Sequence, residues 1–140
     1  MKTVLVPVDD TAESEWAIKH VIRLYGSEPV KVLLLNVQLP LSNYVSRFLN
    51  KTDIADFHRE NGMKLLQPRI SELDAAGVPH TDKVLIGHKA ETIARYAREN
   101  DCDQIVLPKS HGLLHGLGSI GGQLRHLIGA ESGCNISEVY

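Results

Sequence analysis

Four short apolar runs do most to limit what this chain can fold into: "KTVLVPV" at 2–8, "VKVLLLNV" at 30–37, "DKVLIG" at 82–87 and "DQIVLP" at 103–108. None alternates cleanly between apolar and polar residues; the first predicts a strand buried on both faces and the second another buried strand, and the other two read as a third and a fourth strand. The segments between them carry helical spacing. After the first run, Asp10 with Glu13 three residues on resembles a capping box. Ala17, Val21 and Leu24 then form one apolar face, which Gly26 closes. An irregular polar stretch at 40–52 precedes a long helical segment at about 53–76. Ile54, Phe57, Leu65, Leu66, Ile70 and Leu73 fit one helical face only loosely there, and Gly62 and Pro68 predict a kink or a break. "AETIARYAREN" at 90–100 is a helix with Ile93, Ala94 and Ala97 inward, and "NISEVY" at 135–140 is a weak fifth strand.

Strands of this kind alternating with helices imply a parallel sheet with helices on both faces. Ligands on such sheets sit beyond the carboxyl ends of the strands, near the switch in strand order. The positions to watch are therefore 7–10, 36–38, 87–89 and the stretch after the fourth strand. With 140 residues and no linker, repeat or low-complexity segment, one domain over 1–140 is expected. A formal net charge of −2 lacks the basic face that nucleic-acid binding requires. The apolar runs are too short to span a bilayer, and Met1 leads straight into a strand with no signal pattern. Cys102 and Cys134 stand outside any CxxC spacing, which points to a reducing, cytoplasmic compartment.

The stretch "IVLPKSHGLLHGLGSIGGQLRHLIG" at 105–129 holds five glycines within eleven residues. Glycine-rich turns between a strand and a helix often cradle phosphates, because bare N–H groups face the anion. Gly116, Gly118 and Gly121 satisfy GxGxxG literally. A dinucleotide fingerprint should nevertheless follow its strand directly and open a full βαβ unit, for which too little chain remains. No GxxxxGK[ST] is present. Ser119 stands as the N-cap of a last helix carrying Ile120, Leu124, Leu127 and Ile128.

Taken in order, "VLVPVDD", "LLNV", "VLIG" with "AETIARYA", and "IVLPKSHG" with "LGSIG" resemble the universal stress protein family over essentially the whole chain. The resemblance implies an α/β three-layer sandwich that is Rossmann-like (adenine nucleotide alpha hydrolase-like). Its five-stranded parallel sheet would run in the order 3-2-1-4-5, with about two helices on each face. It also implies a dimer, commonly paired through the fifth strand, although "NISEVY" is short and carries Glu138. Many members bind ATP, with magnesium; one subclass does not. The family's nucleotide positions fall on Pro7, Asp9, Val37, Gly112, Gly118 and Ser119. Two departures stand out. Lys109 replaces the first loop glycine, and five residues instead of nine separate Gly112 from Gly118. A left-handed backbone at Lys109 would cost about 1–2 kcal/mol, while its ammonium near the cleft would attract phosphate.

Two functions follow. One is a cytoplasmic stress-response regulatory module with an adenine-nucleotide cleft of altered loop. The other is a stress protein without nucleotide, acting through dimerisation and protein partners. The sequence offers no general base beside a positioned nucleophile and no paired metal carboxylates, so no enzyme is expected. Asp9 is the acid placed to reach ribose or adenine, and Asp10 the helix cap. His111 and His115 sit among glycines with no acid or cysteine nearby, which does not make a metal pair. His126 reads as a surface residue, Trp16 as half-buried, and Cys134 as a small filler.

Overall fold

The computed structural model describes residues 1–109, 120–129 and 132–140. In chain order the elements are β1 (Lys2–Pro7), α1 (Ser14–Tyr25), β2 (Val30–Gln38), α2 (Asn43–Ser46), α3 (Lys51–Ala75), β3 (His80–Ile86), α4 (Lys89–Glu99), β4 (Gln104–Pro108), α5 (Gly121–Ile128) and β5 (Asn135–Val139). The strands form one parallel sheet in the order β3-β2-β1-β4-β5. The chain therefore switches direction across the sheet between β1 and β4.

Each central strand divides its side chains between two cores, as its unbroken apolar runs require. Val4, Val6, Val32, Leu34 and Val106 face one layer, packed with Ala17, Ile18 and Val21 of α1 and Leu66 and Leu73 of α3. Leu5, Leu33, Leu35, Ile105 and Leu107 face the other, packed with Ala90, Ile93 and Ala97 of α4 and Leu124 of α5. Most of these side chains are fully buried. No helix among the described residues is long and apolar enough to cross a membrane.

Local chemistry departs from expectation in four places. Asp10 is exposed, and Glu13 at the start of α1 makes no side-chain cap. The turn is built instead on Asp9, whose Oδ1 accepts from the Thr11 N–H (2.9 Å), the Thr11 hydroxyl (2.6 Å) and the Ser14 hydroxyl (2.8 Å). The carboxylate accepts from the N–H two residues on, the local turn a short acidic side chain makes with the backbone that follows it. Second, α3 runs unbroken for 25 residues through Gly62 and Pro68. Pro68 and Lys64, one turn earlier, are both exposed, so water can serve the carbonyl that loses its bond. Third, the stretch before α3 holds the short helix α2, capped by the Ser42 hydroxyl, and Asn50 caps α3 by accepting from the Asp53 N–H at 2.8 Å. Fourth, the apolar residues carried by the last helix do not share one buried face: Leu124 is buried, Ile128 half-buried and Leu127 exposed. The N-cap assigned to Ser119 lies outside the described residues; α5 itself begins at Gly121 with no side-chain cap on Ile120.

Candidate functional site

Beyond the carboxyl ends of β1 and β2, beside the direction switch, lies a cleft of about 300 Å³. Its size is at the lower end of the roughly 300–1,000 Å³ typical of small-molecule sites. Asp9 and Asp10 enter it from the turn after β1, Val37 and Gln38 from the end of β2, and Lys89 from the start of α4. One wall is a stripe of α3, with Phe57, His58, Asn61 and Leu65. Leu39 and Leu41 form an apolar rim, and Leu39 and Phe57 are strongly exposed there.

The floor is held by a polar chain inside the sheet. Asn36 is 2% exposed near the carboxyl end of β2, an unusual place for an amide. Its Nδ2 donates to the Val8 carbonyl at 2.8 Å, and its Oδ1 accepts from Gln38 Nε2 at 2.7 Å. Gln38 Oε1 in turn meets His58 Nδ1 at 3.3 Å. α3 can come this close because residue 62 is glycine. A Cβ at Gly62 would lie 2.5 and 2.7 Å from the Val84 methyls and 3.0 Å from Asn36 Oδ1. Across the strand ends, the Gly87 N–H donates to the Gln38 carbonyl at 2.9 Å, tying β3 to the cleft end of β2.

Of the residues expected to bind nucleotide, Asp9 and Val37 meet at this cleft, and Pro7 is the buried last residue of β1 just beneath it. Gly112, Gly118 and Ser119, like His111 and His115, lie outside the described residues. Lys109 is described. Its N–H donates to the Val139 carbonyl at 2.6 Å, and its Nζ stands 4.9 Å from the centre of the Tyr140 ring. That ring lies 6.0 Å from half-buried Trp16. Asp101 is the one non-glycine residue with positive φ (50°) among those described, so Lys109 carries no left-handed strain. Among the described residues no group of three or more His, Cys, Asp or Glu could hold a metal.

The contribution of α3 is what the sequence reading missed. His58, Asn61 and Leu65 recur at helical spacing of three and four, a signal that was present but was hidden by the search for an apolar face. The two cysteines stay out of the site. Burial, then the neighbouring Cys134, pushes the Cys102 thiol up to about 12, and burial also raises Cys134.

A parallel sheet with a cleft at its switch point defines a doubly wound α/β protein. The sequence profile of the universal stress protein family matches residues 1–128, and the chain belongs to that family. No curated protein matches it significantly. Among solved structures it is similar to the hypothetical protein MJ0577 (23% identity, TM-score 0.76), covering 99% of this chain and 96% of that one. It is also similar to a universal stress protein family protein of Arabidopsis thaliana solved with AMP bound (17% identity, TM-score 0.65, 99% and 91% covered). A third is the universal stress protein of Archaeoglobus fulgidus in complex with dAMP (17% identity, TM-score 0.64, 100% and 98% covered).

Proposed function

We propose that this protein is a stress-response regulatory module of the cytoplasm that binds an adenine nucleotide, ATP with magnesium, in the cleft beyond β1 and β2. The observation that carries the reading is the meeting of Asp9 and Val37 in one cleft at the switch point. Structures of two proteins with this fold, one with AMP bound and one in complex with dAMP, lend it support. In this reading Asp9 accepts hydrogen bonds from ribose or base, and the backbone around Val37 lines the base. Lys109, Gly112, Gly118 and Ser119 serve the phosphates. The output is a change of shape or partner rather than turnover, and the exposed edge of β5 pairs with a second copy of the chain.

A second reading has its own support: Asp9 Oδ1 is already engaged by Thr11 and Ser14, and the Lys109 ammonium is drawn over Tyr140. Here the cleft stays empty and the protein acts through dimerisation and partner binding. Thermal unfolding with ATP and magnesium separates the two. A nucleotide at 100 times its dissociation constant adds about 2.7 kcal/mol, which for a chain of this size raises the midpoint by several degrees. No shift at millimolar ATP or AMP rejects the nucleotide reading in favour of the second.

A further inference from the structure

The least explained group in the molecule is the imidazole of His58. It is 2% exposed, and it stands in the wall between the cleft and a second groove, of about 380 Å³, that runs between α3 and β3. The place of its proton follows from the polar chain. The Val8 carbonyl can only accept, so Asn36 must turn its Nδ2 toward it. Asn36 Oδ1 is then the acceptor for Gln38 Nε2. Gln38 is thereby left with Oε1 toward the ring, and an oxygen of that kind can only accept. His58 Nδ1 must therefore carry the N–H, and in the neutral ring Nε2 is a bare lone pair. That atom is buried and has no hydrogen-bond partner among the described residues.

A buried acceptor without a donor is a standing cost that any arriving donor relieves. Neutral Nε2 repels phosphate oxygen, so the group it suits is an N–H or O–H. Resting on the nucleotide reading of the cleft, we propose that His58 is its specificity-determining residue. A slight turn of the ring lets Nε2 accept a hydrogen bond from a donor of the bound nucleotide, either the exocyclic amine of the base or a ribose hydroxyl. The chain through Gln38 and Asn36 to Val8 fixes the tautomer that makes this possible. A site built on a buried acceptor discriminates strongly against a ligand lacking the matching donor, because the acceptor is then left unpaired.

Calorimetric titration of the full chain tests this with four probes: ATP, purine riboside 5′-triphosphate (no amine), 2′-deoxy-ATP and 3′-deoxy-ATP. The wild type is expected to bind one of the altered nucleotides about tenfold more weakly than ATP. The amine arm and the two deoxy arms report which donor is read. In His58→Phe, ATP binding weakens and that preference falls to about twofold or less. In Gln38→Leu, which frees the tautomer while leaving the ring in place, the preference also shrinks; this variant serves if His58→Phe does not fold. Equal affinity of the wild type for all four probes overturns the proposal and leaves the nucleotide reading standing. So does a tenfold preference that survives in the variants. Failure of the wild type to bind any probe overturns both.

Discussion

α3 and α4 cover opposite faces of the same sheet, yet they use their length very differently. α4 spends 11 residues and buries Ala90, Thr92, Ile93, Ala94 and Ala97, a broad stripe. α3 spends 25 residues and buries only His58, Gly62, Leu66 and Leu73, a narrow line spaced by four, four and seven. Along that line the chemistry changes from leucine at the far end to glycine and histidine at the end nearest the cleft. α4 is a core helix throughout. α3 is a core helix in its second half and a site wall in its first, which explains why its apolar pattern fits a single face poorly.

The comparison can be tested from its strongest contact downward. Leu66→Ala and Ile93→Ala each empty a fully buried position, one on each face, and each is expected to cost about 2–5 kcal/mol in urea unfolding. A cost under about 1 kcal/mol at Leu66 would show that α3 is not anchored as its narrow line implies. Next is Gly62→Val. The new side chain overlaps the Val84 methyls and crowds Asn36, so a loss of about 1–3 kcal/mol is expected. Full stability in this variant would mean that the close approach of α3 to β2 and β3 is not fixed.

The smallest effect concerns the dry face under α4. Burial holds the Cys102 thiol protonated up to about pH 12, against an ordinary value of 9.0. Below pH 9 the folded and unfolded chains both keep this proton, and its contribution is fully present. Above it, the unfolded chain releases the proton while the folded chain retains it, so rising pH favours unfolding. Wild-type stability should therefore fall more steeply than that of Cys102→Ala between pH 9 and 11. Parallel curves would place Cys102 in a wetter setting than its burial indicates.

How much of this was legible beforehand varies by residue. The runs led directly to β1, β2 and β4, because a strand buried on two faces has few polar positions to disguise it. β3 was found by its run too, but as an edge strand it buries no residue, and Thr81, Asp82, Lys83 and Ile86 are exposed. The carboxyl ends of β1 and β2 were marked as the place to look, and Asp9, Asn36, Val37 and Gln38 are there. Helix starts were harder. Asp9, not Asp10, makes the turn into α1, since several acids and hydroxyls near a helix start compete and only the backbone path selects one. Pro68 suggested a break, yet the helix continues because that position faces water, a fact about which side of α3 meets the sheet.

The sequence by itself determined the layered α/β architecture and the family, through runs and motifs whose meaning is local. Only the tertiary structure brought His58 against Gln38, twenty positions away, and through it to Asn36 and Val8. The reason is geometric. Which residues of a helix meet a strand depends on the helix's rotation about its own axis and its slide along the sheet. In α4 a wide apolar stripe fixes both, whereas in α3 Leu66 and Leu73 anchor one half, and the missing side chain at Gly62 with the polar chain it admits sets the other.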